Sequence, residues 1–131
     1  MKPTVLLYNF KDRDRLMKIR QALLPLGFRI KTVEKEEFGL PLGVLAGVKE
    51  MKEAGVEQEA NYDGPGFEDE MAVMAGFTSS QVDGFIYALR KKGVGRIDYK
   101  AVLTPTNQNW DSVTLFHEIK KEHEAMSEMK S

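Results

Sequence analysis

The amino-acid sequence predicts an α/β fold in which two similar β-α-β-α halves share one four-stranded sheet, with helices on both faces. Two observations carry this prediction. Residues 5–8 and 71–75 are continuous apolar runs, which is the pattern of strands buried on both faces of a covered sheet. Each run is followed by an amphipathic helical pattern, a further strand pattern and a second helix. A chain of 131 residues has the usual length of one domain, so residues 1–131 are predicted to form a single domain.

The first half continues from its apolar run into a helix, an edge strand and a shorter helix. Asp12 is placed to cap the first helix, and Pro25 and Gly27 predict its end. The apolar residues of that helix recur at helical spacing: Leu16, Ile19, Leu23 and Leu26. Residues 28–33 alternate between apolar and polar side chains, as in a half-exposed strand. Residues 39–48 then predict a short helix with Pro41 near its first turn.

The second half continues from the other apolar run in the same order. Thr78, followed three residues later by Gln81, predicts a capping box at the start of a helix. The core side of that helix is predicted to carry Val82, Phe85, Ile86 and Leu89. Residues 100–103 are the predicted fourth strand, and residues 104–109 are a loop. Asp111 is placed to cap the last helix, with Trp110 and Leu115 as a hydrophobic staple.

The two halves align as an internal repeat over residues 4–48 and 70–126, joined by a connector at 49–69. Ile30 and Ile97 are 67 residues apart, and Leu23 and Leu89 are 66 apart. Neither half can bury its apolar face alone, so the first and third strands are predicted to lie at the centre of a shared sheet. A ferredoxin-like interleaved sheet with two added helices is the alternative. Residues 52–66 combine acidic charge with turn-forming residues, so we expect them to be the most mobile internal segment.

Composition excludes several classes of protein. The chain has no cysteine, a net charge of −1 and no apolar run of the length that a membrane span needs. Nucleic acid is therefore a disfavoured partner, no membrane contact is expected, and the predicted location is cytoplasmic. Residues 11–31 carry seven basic and two acidic side chains, whereas residues 49–70 carry two basic and eight acidic ones. These stretches are either two solvated faces or a complementary contact within one molecule or between two.

One stretch of the second half resembles a known family. It contains residues 70–77, residues 88–94, the run Lys-Ala-Val-Leu-Thr-Pro-Thr-Asn at 100–107 with Trp110, and residues 118–126. Over about residues 67–126 the chain is similar to the bacterial family described as domain of unknown function 3783. The resemblance implies a recurring domain but no activity, ligand or catalytic residue. It draws attention to the loop that follows the fourth strand.

No motif in the sequence indicates catalysis, a metal or a cofactor. His117 and His123 are six residues apart, whereas zinc peptidases place two histidines four apart on one helical face. No serine lies in a nucleophile-elbow pattern, and the glycine-rich stretches lack the spacing of phosphate loops. We therefore predict no catalytic residue, no metal ligand and no cofactor.

The sequence favours a non-enzymatic domain that binds a small ligand or a protein partner and acts in regulation. The alternatives are an enzyme whose site forms only in the fold or across a dimer, and a structural interaction module; a homodimer is compatible with the sequence. The candidate ligand site is the loop after the fourth strand, with a similarly placed segment of the first half. Its residues are Thr104, Pro105, Thr106, Asn107, Trp110, Pro41 and Gly43. A purely structural role for the loop stays open, with Trp110 as a staple and the asparagines bonded to local backbone.

Overall fold

The computed structural model describes residues 2–48 and 61–129. Within these ranges the chain forms four strands and four α-helices. In chain order they are β1 (Thr4–Tyr8), α1 (Arg13–Leu23), β2 (Arg29–Val33), α2 (Leu42–Ala46), β3 (Met71–Ala75), α3 (Ser79–Lys91), β4 (Tyr99–Val102) and α4 (Ser112–Met129). The prediction of a mixed α/β fold with one four-stranded sheet is confirmed.

The strands lie in the order β2-β1-β3-β4. β1 pairs with β2 in parallel, β3 pairs with β4 in parallel, and the two halves meet where β1 runs antiparallel to β3. The ferredoxin-like alternative is not the arrangement observed, because a split β-α-β unit has another strand between its two parallel strands. Here β1 and β2 are direct neighbours, and so are β3 and β4.

Helices cover both faces of the sheet because the side chains of a strand alternate between its faces. Val5 and Leu7 of β1 pack on the side where α1 and α3 contribute Ile19 and Phe85. Leu6 and Tyr8 pack on the opposite side, with side chains from α2 and α4 such as Leu42 and Phe116. Every residue of β1 and of β3 is buried, which explains why both strands appear as unbroken apolar runs.

The predicted helix starts are confirmed. The Asp12 carboxylate accepts hydrogen bonds from the backbone N–H groups of Asp14 and Arg15 at the start of α1. The Thr78 hydroxyl and the Gln81 side chain form the reciprocal bonds of a capping box at the start of α3. The Asp111 carboxylate accepts from the N–H of Thr114 at 2.7 Å. These caps are local, so the sequence pattern was sufficient to locate them.

Several boundaries differ from the predicted ones. Residues 24–26 leave α1 for a short 3₁₀ turn that contains Pro25. α2 spans five residues, because Gly47 adopts a φ of 82° and ends it. β4 begins at Tyr99, so Ile97 lies before the strand, although the offset of 67 aligns it with Ile30 inside β2. Most of the segment predicted to be mobile, residues 52–60, lies outside the described residues.

The described helices include none that combines the length and the hydrophobicity needed to cross a membrane.

Candidate functional site

A pocket of about 600 Å³ opens at the carboxyl ends of the parallel strands β1 and β2. We call it the β1–β2 pocket. Open α/β sheets commonly bind ligands outside the carboxyl ends of their strands, and this volume lies within the range of small-molecule sites. Its lining residues are Leu7, Asn9, Phe10, Lys11, Leu16, Arg20, Thr32, Val33, Glu34, Lys35, Phe38, Gly66, Phe67 and Glu68.

Asn9 shapes one wall of the pocket directly after β1. It has a φ of 63° and is the one non-glycine residue with a positive φ in the described ranges. Asparagine adopts this left-handed conformation more readily than most residues. Its side-chain amide donates to the backbone carbonyls of Phe67 at 2.9 Å and Asp69 at 3.0 Å. Asn9 therefore turns the chain out of β1 and ties the segment before β3 to the end of β1.

Aromatic side chains form the apolar wall. The rings of Phe38 and Phe67 stack with centroids 4.8 Å apart, and Phe67 stacks in turn on Phe116 of α4 at 4.3 Å. Tyr8 contacts both Phe38 and Phe67, with ring centroids 5.8 and 5.7 Å away. One wall of the pocket is thus continuous with the core between the sheet and α4, which limits its freedom to move.

The pocket also carries three basic and two acidic side chains. Lys11, Arg20 and Lys35 supply the cations, and Glu34 and Glu68 supply the carboxylates. Glu34 bonds to Glu37 through its backbone: its N–H donates to the Glu37 carboxylate at 3.1 Å, and its carbonyl accepts from the N–H of Glu37 at 2.9 Å.

An ion pair outside the pocket joins the basic and acidic stretches of the sequence. The Arg15 guanidinium lies 3.0 Å from the Glu70 carboxylate and also donates to the carbonyls of Gly95 and Arg96. One ion pair within the molecule therefore links the 11–31 stretch to Glu70, the last residue of the 49–70 stretch. Since β3 starts next to Glu70, Arg15 holds the two halves together beside the pocket.

Polar groups of the predicted 104–110 loop form hydrogen bonds with one another. The Asn107 amide oxygen accepts from the N–H of Thr104 at 2.8 Å, and the Thr104 hydroxyl accepts from the N–H of Asn107 at 3.1 Å. The Asn107 amide also donates to the Val102 carbonyl. Thr104, Pro105 and Thr106 are exposed. These local bonds are those expected of a structural turn.

The structure brings the two predicted segments into contact. The N–H of Leu42, between Pro41 and Gly43, donates to the carbonyl of Trp110 at 2.9 Å, and the N–H of Ser112 donates to the carbonyl of Phe38 at 3.1 Å. Gly43 is buried and Pro41 is half-buried. None of the seven predicted site residues lines the β1–β2 pocket.

Two other titratable groups are perturbed by burial. The Tyr8 hydroxyl is fully buried and lies 2.7 Å from the Ser112 hydroxyl. Burial raises the pKa of the Tyr8 phenol well above its ordinary value, and the hydrogen bond from Ser112 opposes that shift only in part. Burial also lowers the pKa of Lys100, with a further contribution from Arg96, in a second cavity of about 390 Å³ between α3 and β4.

The histidines on α4 do not converge on a metal site. The His123 ring lies 5.4 Å from the ring of Tyr99, and the His117 side chain is exposed. In the described part of the chain, no group of three histidine, aspartate or glutamate side chains could hold a metal ion.

The fold and the pocket together define a small α/β domain with a mixed four-stranded sheet that is covered on both faces. Residues 70–126 match the family model described as domain of unknown function (DUF3783). The resemblance noted in the sequence is therefore confirmed for that stretch, which contains β3, α3, β4 and most of α4. No curated protein and no solved structure matches the chain.

The pocket lies outside the matched stretch, since all of its lining residues precede residue 70. Sequence reasoning missed it because the signal is weak: one asparagine and one lysine directly after a buried strand, with an arginine on the following helix. The same rule about the carboxyl ends of strands could have been applied to β1 and β2 as well as to β4.

Proposed function

We propose that this chain is a non-enzymatic small-ligand-binding domain whose site is the β1–β2 pocket. The observation that carries the proposal is the position and character of that pocket. It combines a firm apolar wall with a few polar groups at the carboxyl ends of two parallel strands, which is the usual composition of a small-molecule site. A cytoplasmic location belongs to this proposal and rests on the sequence alone.

We also propose that the two halves are copies of one β-α-β-α unit within a single domain. The left-handed residues Asn9 and Gly76 are 67 residues apart, and Gly27 and Gly93, with φ values of 79° and 80°, are 66 apart. The strand bounds support the same offset, because a shift of 67 converts Thr4–Tyr8 into Met71–Ala75.

The repeat favours a single site in the first half. Asn9 in the first half corresponds to Gly76 in the second, and Arg20 of α1 corresponds to Ile86 of α3, 66 residues later. The second half therefore carries the same backbone unit without these polar groups. Because Ile86 fills the equivalent helical position, the fold itself does not require a cation at Arg20.

A thermal-shift screen of metabolites on three matched proteins tests the proposal. Thr32→Trp fills the pocket from the exposed strand β2, whereas Thr114→Trp makes the same change on the exposed side of α4. A ligand at about 100 times its dissociation constant adds about 2.7 kcal/mol, which is about 10 °C for a domain of this size. We expect that shift in the wild type and in Thr114→Trp, and its loss in Thr32→Trp. A ligand whose shift survives Thr32→Trp binds elsewhere, which would contradict the proposal.

The 104–110 loop is a second candidate site, favoured by the exposed hydroxyls of Thr104 and Thr106 beside the Leu42–Trp110 hydrogen bond. The double variant Thr104→Ala with Asn107→Ala separates the two sites in the same screen. Loss of the ligand shift in this variant, with the shift retained in Thr32→Trp, would move the site to the loop. Lower stability with unchanged affinity would leave the loop a structural turn.

A further inference from the structure

We infer that the β1–β2 pocket selects a small organic anion, with one carboxylate, sulfonate or phosphate group on a flat apolar body. This inference rests on the proposed function and names the ligand class for the same site. It depends on three features: lining cations that form no ion pair with the described residues, a helix N-terminus that is already capped, and half-buried apolar side chains.

The two ion pairs formed near the pocket do not use its lining cations. Arg15 pairs with Glu70, and Lys31 pairs with Glu37 at 3.0 Å. In the described ranges, the structure shows no ion pair for Lys11, Arg20 or Lys35.

Arg20 is the most informative of the three cations. It is half-buried in the pocket wall, whereas Lys11 and Lys35 are exposed at the rim. A partly buried guanidinium that forms no ion pair within the described part of the chain is available to an anion, and its fixed planar donors suit a carboxylate or phosphate.

The anion would be held by side chains rather than by the start of α1. The N–H groups of Asp14 and Arg15 already donate to the Asp12 carboxylate, and the N–H of Leu16 donates to the Asp12 carbonyl. The negative charge of Asp12 also opposes a second anion at that helix end. Selectivity for charge therefore depends on the balance of Arg20, Lys11 and Lys35 against the two lining carboxylates, Glu34 and Glu68, which makes it testable by substitution.

The rest of the lining favours an apolar, flat body. Phe10, Leu16 and Phe67 line the pocket and are half-buried, so they present apolar surface to a ligand, whereas Leu7 and Phe38 are each 1% exposed and present almost none. Phe67 stacks against Phe38, and the Arg15 guanidinium lies 5.8 Å from the centre of the Phe10 ring. A ligand that is charged throughout would leave this surface without apolar contacts.

The experiment compares three ligands of the same ring and different charge. Indole-3-acetate is an anion, indole-3-acetamide is neutral and tryptamine is a cation. Each is titrated into the full chain, and the amide resonances of Leu7, Thr32 and Gly66 are followed by NMR. Arg20→Met removes the charge and keeps the apolar stem, and Lys18→Met is the matched control on the exposed side of α1.

We expect indole-3-acetate to bind about fivefold more tightly than the amide, with an affinity that falls as salt is added. Arg20→Met is expected to abolish that preference, while Lys18→Met retains it. Equal binding of the three ligands at the pocket amides, or an unchanged preference in Arg20→Met, overturns the anion inference and leaves the pocket as a ligand site. If none of the ligands shifts the pocket amides while any of them shifts other amides, both the inference and the proposed site are wrong.

Discussion

Removing the buried hydrogen bond between Tyr8 and Ser112 tests how the two halves of the chain are joined. Tyr8 ends β1 in the first half, and Ser112 begins α4 in the second. Both residues are 0% exposed, and their hydroxyl oxygens lie 2.7 Å apart. The variants are Tyr8→Phe, Ser112→Ala and the double variant, which together form a double-mutant cycle.

The expected magnitudes follow from which hydroxyl is left without a partner. Ser112→Ala leaves the Tyr8 phenol buried and unbonded, which is expected to lower the free energy of unfolding by about 1–3 kcal/mol. Tyr8→Phe keeps the ring contacts with Phe38 and Phe67 but leaves the Ser112 hydroxyl buried without this partner, so a loss of about 1–2 kcal/mol is expected. The double variant replaces both partners by apolar groups. Its loss in the free energy of unfolding should therefore be about 1–2 kcal/mol smaller than the sum of the two single losses.

The cycle is measured by urea unfolding, and the signal is the fluorescence of Trp110, the single tryptophan of the chain. Ser112→Ala removes the hydroxyl and keeps the backbone contact, because the N–H at position 112 still donates to the Phe38 carbonyl. The variant therefore separates the side-chain bond from the backbone bond. Additive losses in the double variant would show that the two hydroxyls are not coupled, and the assignment of this bond as a link between the halves would be refuted.

The variant Tyr8→Phe also tests a specific pH dependence of the stability. Because the folded state raises the pKa of Tyr8 above the ordinary tyrosine value of about 10, the folded chain retains a proton that the unfolded chain loses above that pH. Stability therefore falls as the pH rises, by up to about 1.4 kcal/mol per pH unit for this one proton. The stability advantage of the wild type over Tyr8→Phe should shrink accordingly between about pH 10 and 11.5. Parallel curves for the two proteins would contradict the burial of this phenol.

Four further variants, with the two glycine variants compared as a pair, are measured in the same urea titration. Gly84→Ala is expected to stabilise the protein by about 0.5–1 kcal/mol, since a Cβ inside α3 meets no atom within 4 Å. Gly93→Ala, with as much room but a φ of +80°, should destabilise it by about 1 kcal/mol, and equal effects at the two glycines would contradict this reasoning. Arg15→Met is expected to cost about 2 kcal/mol, because two carbonyls and Glu70 lose their donor; a loss no larger than that of an ordinary surface charge would show that this link is weak. Thr78→Ala should cost about 1 kcal/mol by removing a helix cap, and an unchanged midpoint would show that the capping box is dispensable.

Local features of the fold were predictable from the sequence. The two buried strands, the capping box at Thr78 and the caps at Asp12 and Asp111 depend on residues within one turn of one another, so their patterns are visible in the chain itself. The predicted loop at residues 104–110 was located for the same reason. Its bonds between Thr104 and Asn107 span three residues, which a sequence pattern can indicate.

The candidate pocket was not predictable in the same way. Its walls come from four separated parts of the chain: the end of β1, the middle of α1, the end of β2 and the segment around Phe67. Whether Arg20 has a partner depends on which carboxylates the fold brings within reach. Lys31 pairs with Glu37, which is six residues away in the chain, whereas Arg15 pairs with Glu70, which is 55 residues away. No periodicity in the sequence contains that information.

The sequence by itself determined the order of the elements, the two strands that must be buried and the starts of the capped helices. These properties follow from the spacing of apolar side chains and from hydrogen bonds between near neighbours. Only the tertiary structure decided that β1 runs antiparallel to β3, that Pro41 and Trp110 lie on neighbouring segments, and that the pocket opens beside β1 and β2. The physical reason is that strand direction and a cavity depend on contacts between residues far apart in the chain, where side-chain volume and charge must match in three dimensions.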